Sequence, residues 1–192
     1  WLMAFAELRY LRTQRPVYRE LARAWSKVVA VFFAVGAVSG TVLSFELGLL
    51  WPGFMKHAGP IIGLPFSWEG TAFFVEAIAL GLFLYGWDRL PRGVHLASGI
   101  VVGLAGLASG ALVIAANGFM NSPAGFRWVD GHALDIDPVA AMFNRAWASE
   151  AVHMLIAAFV STGFAAAGVH ALRLLARSPK RELHQLGMRL AL

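Results

Sequence analysis

Five polar side chains stand in surroundings too apolar to hold them idly: Glu69, Glu76, Ser109, Glu150 and His153. His153 follows Trp147-Ala148-Ser149-Glu150-Ala151-Val152 and leads an apolar run that reaches Leu175. At the helical rise per residue, its imidazole lies roughly 10 Å below one membrane surface. An ionisable group at that depth is expensive and is read first as functional. Imidazole there serves as a metal or haem ligand, or as a proton carrier. Glu69 and Glu76 are separated by nearly two helical turns and so share one helix face. Glu150 and His153, one turn apart, share another. A carboxylate at mid-membrane beside a serine hydroxyl can relay protons, because an uncharged Glu is a tolerable resting state there. The aromatics Trp68, Phe73, Phe74, Phe83, Trp87 and Trp147 are of the kind that walls a porphyrin, and equally of the kind that packs a core or faces lipid.

Such residues need helices to hold them, and the composition supplies helices. Hydrophobic residues make up 58% of the chain and charged residues 14%, well below the roughly one quarter charged in soluble domains. Apolar runs at 28–50, 66–87, 94–117 and 148–175 each exceed or approach the ~20 residues that cross a bilayer. With no water in the hydrocarbon core to satisfy backbone groups, these runs must be helical. The reading is an all-α, polytopic transmembrane helix bundle in a single domain, 1–192. It has a partial helix at 1–11 and spans at about 24–50, 66–90, 94–117 and 145–176. The Gly- and Pro-rich stretch 52–65 is expected to be an outer loop. The segment 118–144 is a second, longer one, with a short helix after Pro138. Ser178-Pro179 opens a further helix.

The net charge of +5 does not point to nucleic acid, because the cations alternate between loops. Arg12, Arg15, Arg19, Arg23 and Lys27 precede the first full span, Arg89 and Arg92 follow the second, and Arg173, Arg177, Lys180 and Arg181 follow the fourth. The positive-inside rule then places 12–27, 88–93 and 173–184 in the cytoplasm, with 51–65 and 119–146 outside. With no cysteine, thiolate metal sites and thiol catalysis are excluded. On this topology Glu46, Glu69, Glu150 and His153 cluster towards the outer half of the bundle, with Glu76 near mid-membrane. Plainer readings exist: Glu46 and Glu150 as solvated end residues, and Glu69 as a helix-start residue favoured by the dipole. His57, His95, His132, His170 and His184, in or near loops, are expected to be solvated rather than liganding. The chain opens on Trp1 and ends in what reads as a new helix, so it is expected to be a fragment of a larger subunit.

Several stretches carry a family resemblance. They are Phe45-Glu46-Leu47-Gly48-Leu49-Leu50-Trp51, Gly63-Leu64-Pro65 leading to Trp68-Glu69-Gly70 and Phe73-Phe74-Val75-Glu76, Tyr85-Gly86-Trp87-Asp88-Arg89-Leu90, and Ala116-Asn117-Gly118-Phe119-Met120-Asn121-Ser122-Pro123. In order and spacing the chain resembles subunit I of the cytochrome bd-type quinol oxidases over its whole length. The resemblance implies a respiratory terminal oxidase in a bacterial or archaeal-type cell membrane. Such an enzyme reduces dioxygen to water with electrons from membrane quinol, together with a second oxidase subunit. It implies two b-type haems and a third haem, d or b. His153 matches the histidine that ligates the low-spin haem b iron. Glu69 and Glu76 match an acidic pair bordering the high-spin haems and the proton route, Glu69 as a high-spin haem contact, and Ser109 matches a hydroxyl on that route. Glu46 stands where many members carry glutamine, and the Glu69–Glu76 spacing is one residue shorter than in some. Two other readings start from the same residues. One is a di-iron carboxylate membrane oxidase built on Glu150-Ala151-Val152-His153, which normally needs that motif twice. The other is a non-redox proton-coupled transporter using Glu76.

Overall fold

The computed structural model describes all 192 residues. Its elements run α1 (Leu2–Thr13), α2 (Pro16–Leu50), α3 (Pro52–Tyr85), α4 (Arg92–Asn121), β1 (Arg127–Val129), β2 (His132–Leu134), α5 (Pro138–Met142), α6 (Trp147–Leu175) and α7 (Arg181–Ala191). Helices α2, α3, α4 and α6 are long and apolar enough to cross a membrane. The chain is therefore an all-α, multi-pass membrane protein carrying one small hairpin. Large apolar side chains such as Phe32, Val38, Phe45 and Leu49 point outward along α2, as helices solvated by something other than water require.

Two compact units divide the chain. The first gathers Trp1–Phe32, Glu76–Leu104 and Ile156–Leu192, and the second Phe33–Val75 and Ala105–Leu155. In the first unit, Gln14 closes α1 in the left-handed conformation, its N–H donating to the Tyr10 carbonyl. Only Gln14 and Arg15 separate α1 from α2. The basic connection expected up to Arg23 is thus mostly helix. Pro16 suits a first helical position, where its missing N–H is not needed. Tyr18, Leu21, Ala22 and Trp25, buried at helical spacing, then give the basic segment a packed face. Arg19 and Arg23 of the opposite face pair with Asp88 in the turn after α3. Arg15 pairs with Glu182, and Lys180 with Glu20. Helix α4 approaches α3 and α1 at Gly99, where a Cβ would stand 2.6 Å from the Phe83 ring and 3.2 Å from Ala4.

In the second unit, the expected outer loop 52–65 is the first half of α3. Pro52 opens the helix, and Pro60 and Pro65 lie inside it, each leaving a carbonyl four residues earlier without its N–H partner. Packing outweighs that loss. Ala58, Ile61 and Ile62 form a buried stripe against Ala116, Phe119 and Ala141, and Pro65 continues the stripe as one of the most buried side chains. The longer loop after α4 holds a hairpin, β1 pairing antiparallel with β2 with Val129 opposite His132. Asp130 and Gly131 both have positive φ, 47° and 80°, the geometry of a two-residue turn matched to strand twist. The short helix after Pro138 is present as α5, capped by Asp137, whose carboxylate accepts from the Val139 and Ala140 N–H groups.

Candidate functional site

Four of the singled-out polar residues lie in the second unit, and α4 links two of them to neighbouring helices. Ser109 Oγ donates to Glu69 Oε1 at 2.9 Å, joining α4 to α3. Two turns further along α4, Asn117 Nδ2 donates to Glu150 Oε2 at 3.1 Å, joining α4 to the start of α6. The first turn of α6 is held from two more sides. Asn144 Oδ1 accepts from the Ala146 and Trp147 N–H groups, and the Trp147 indole N–H donates to the Ala111 carbonyl at 3.0 Å. Gly118 lets α4 come close here, since a Cβ there would lie 3.3–3.4 Å from Asn144 and Glu150. Further along, Gly110 receives the Met154 methyl.

His153 is placed by this clamp, one turn after Glu150 on α6. It is exposed and makes no hydrogen bond or ion pair, so both ring nitrogens are free. Glu69 is half-buried and sits about five turns into α3, which removes the helix-start reading of this residue. Glu76 is half-buried on α3 in the first unit. Glu46 is exposed on α2. Glu46, Glu69, Glu150 and His153 do not converge, and no three His, Asp or Glu side chains gather into a metal cluster. An iron bound by protein ligands alone needs such convergence. A haem needs only one protein nitrogen on a given face, and the unpartnered imidazole of His153 fits that requirement.

Two of the histidines expected to be solvated are buried instead. In the first unit, His95 on α4 is 3% exposed and Glu7 on α1 is 2% exposed. His95 Nδ1 lies 2.7 Å from Glu7 Oε1, and its Nε2 lies 2.9 Å from the Phe83 carbonyl oxygen. A carbonyl only accepts, so Nε2 carries a proton and the Nδ1–Oε1 contact holds a second one. The pair is thus neutral as a unit, which makes its burial tolerable. Phe83 and Trp87 pack on the His95 ring, so two of the aromatics of porphyrin-wall type belong to a protein core. Glu7 Oε2 and Arg9 Nε are buried without partners. Glu7 and His95 line a cavity of about 190 Å³ together with Tyr10, Arg19, Trp87 and Asp88. A signal for this pair was present, since Glu7 interrupts the apolar start of the chain, but its partner lies 88 residues away. Asp88 belongs to the same rim. The hydrogen bond from Arg19, aided by the charges of Arg19 and Arg23, holds its carboxyl below the usual aspartate value. His170 is the second buried histidine, at 7% exposure; its partners are Trp25 and His184.

The family model described as cytochrome bd terminal oxidase subunit I matches residues 1–192. The putative cytochrome bd menaquinol oxidase subunit I of Bacillus subtilis (strain 168) is 35% identical over 100% of this chain and 44% of its own length. The cytochrome bd-II ubiquinol oxidase subunit 1 of Escherichia coli (strain K12) is 30% identical over 84% of this chain and 32% of its own. Among solved structures, the bd oxidase from Geobacillus thermodenitrificans superposes with a TM-score of 0.93 at 37% identity, covering 98% of this chain and 44% of that one. The chain thus spans less than half the length of the relatives it matches.

Proposed function

The chain belongs to the cytochrome bd terminal oxidase subunit I family, and from that premise we propose that it works within a membrane quinol:oxygen oxidoreductase. In this reading the whole protein takes electrons from membrane quinol, reduces dioxygen to water, and acts with a second oxidase subunit in a cell membrane. Segments 12–27, 88–93 and 173–184, which carry most of the cations, face the cytoplasm. The observation that carries the proposal is the family match over the whole chain, with a free imidazole at the position that matches the family's low-spin haem b ligand.

His153 is proposed as the residue that would hold the low-spin haem b iron through a ring nitrogen. When bound, that haem supplies a one-electron relay. The chain's own residues do the positioning. Asn117, Asn144 and Trp147 hold the first turns of α6 and so set the direction in which His153 is presented. Ser109 and Glu69 form a hydrogen-bonded pair between α4 and α3, in which the hydroxyl donates to the carboxylate, so that a proton taken up at Ser109 Oγ is balanced by one handed on to Glu69. Glu69 is also the proposed contact to a high-spin haem. Glu76, on the same helix, is proposed as a further proton-carrying carboxylate, and the high-spin haems, b or d, belong to the whole subunit.

Reduced-minus-oxidised visible spectra of the full-length subunit test this reading. His153→Ala should abolish the low-spin haem b band while the protein remains inserted in the membrane. A low-spin band retained at full strength would remove His153 from the site. A wild-type protein that holds iron without porphyrin would favour the di-iron carboxylate oxidase, and one without haem or iron would favour the proton-coupled transporter.

A further inference from the structure

A chain of four side chains in the first unit has a fixed direction, and that direction leaves no room for an added proton. The Trp25 indole Nε1–H of α2 donates to His170 Nε2 of α6 at 3.2 Å. His170 Nδ1 lies 2.9 Å from His184 Nδ1 of α7, and His184 Nε2 lies 3.1 Å from Ser178 Oγ. An indole nitrogen only donates, so His170 Nε2 must be a bare acceptor. The neutral ring then carries its proton on Nδ1 and donates it to His184 Nδ1. His184 in turn carries its proton on Nε2 and donates to Ser178. Every ring nitrogen is used once, in one tautomeric arrangement, with both imidazoles neutral.

A further proton has two places to go, His170 Nε2 or His184 Nδ1. The first sets two N–H groups face to face across the Trp25 contact, and the second does so across the 2.9 Å His170–His184 contact. Either way one hydrogen bond of the chain becomes a repulsion. The carboxylates of the neighbouring helices are already committed to other cations. Glu20 of α2 is engaged with Lys180 and Glu182 of α7 with Arg15, while Arg23 of α2 is engaged with Asp88.

Of these two contacts, the one between His170 and His184 is the one by which α7 is seated. The His170 ring fills the space over Gly187, where a Cβ would overlap it, and Leu183 and Gly187 form the buried face of α7. We propose that the Trp25–His170–His184–Ser178 chain is a proton-binding latch, which keeps α7 docked while both imidazoles are neutral and loosens it on uptake of a single proton. The geometry stands whatever chemistry the rest of the protein performs.

Hydrogen–deuterium exchange of the full-length protein in detergent tests the latch between pH 8 and 5.5, with rates corrected for the intrinsic pH dependence of amide exchange. This window is where imidazoles titrate and lies above the ordinary carboxylate range, so the flanking ion pairs stay charged. Peptides covering 181–191 should exchange at least about 5-fold faster at the acid end, as expected from the loss of a buried hydrogen bond. His184→Gln removes the imidazole on the α7 side of the contact and should abolish the acid response whatever its baseline rate. Glu182→Gln breaks only the ion pair with Arg15 and should keep the response. Exchange over α7 in the unmodified protein that is equal at both pH values overturns the proposal, as does an acid response that survives in His184→Gln. The first of these outcomes needs no variant.

Discussion

Replacing Ile62 by alanine tests whether the Gly- and Pro-rich stretch before Trp68 is packed helix. Ile62 is 3% exposed and belongs to the cluster with Ala58, Ile61, Ala116, Phe119 and Ala141. The substitution deletes three carbons. At ~0.8 kcal/mol per buried methylene, that is about 2.4 kcal/mol. Incomplete collapse of the cavity adds to it, within the ~2–5 kcal/mol range for such truncations. Because this chain has no cysteine, a single thiol can report the opening of the cluster. Ala141→Cys, placed in the full-length subunit cleared of other cysteines, puts that thiol at a site 1% exposed. A loss of about 2.4 kcal/mol predicts labelling roughly 50-fold faster when Ile62→Ala is added, at 1.4 kcal/mol per tenfold. Leu50→Ala, at a site 64% exposed, should leave the labelling rate unchanged. An acceleration by Ile62→Ala below about 3-fold would refute the packed-helix argument. So would an Ala141→Cys thiol that labels as fast as one introduced at exposed Lys56.

Three further outcomes follow from the same structure. The Asp88 carboxyl is held low by Arg19, with help from Arg23. Its stabilising effect is therefore complete above the ordinary aspartate value and is lost as pH falls through the depressed one. Asp88→Asn keeps a residue that tolerates the positive φ of 63°, and should flatten the acid limb of stability measured by chemical unfolding between pH 5 and 2; an unchanged limb counts against the assignment. Gly99→Ala forces a methyl against the Phe83 ring and Ala4 and should destabilise by ~1–3 kcal/mol. Gly36→Ala meets open space in α2 and should stabilise by ~0.5–1 kcal/mol; thermal melts that fail to separate the two would contradict the close approach at Gly99. Glu76→Gln should slow oxygen consumption while leaving the visible haem spectrum close to wild type, and unchanged consumption would take Glu76 out of the proton route.

The spans were legible in the sequence because the demand that creates them is local. About 20 apolar residues in a row can meet a bilayer only as a helix, and that test needs no knowledge of neighbours. Helix α6, Trp147–Leu175, lies close to the expected 145–176 for this reason. The Ser109–Glu69 contact was half legible. Both residues stood out as polar groups in apolar runs, but their hydrogen bond also required α3 and α4 to be turned towards each other. The hairpin was missed although Asp130-Gly131 is a recognised turn signal, because its strands are only three residues each and show no periodicity.

Tertiary structure alone decided the rest. Glycine and proline mark 52–65 as a loop by local rule, and only the fit of Ala58, Ile61 and Ile62 against Ala116, Phe119 and Ala141 makes it helix. Hydropathy places His95 and His170 near helix ends, where solvation is the default. Burial came instead from Glu7, Trp25 and His184, partners 88, 145 and 14 residues away. The physical reason is common to these cases. Apolarity is a property each residue carries with it, whereas the partner of a polar group depends on how each helix is rotated about its own axis. That rotation is set by side chains packing from other helices, which no single stretch of sequence contains.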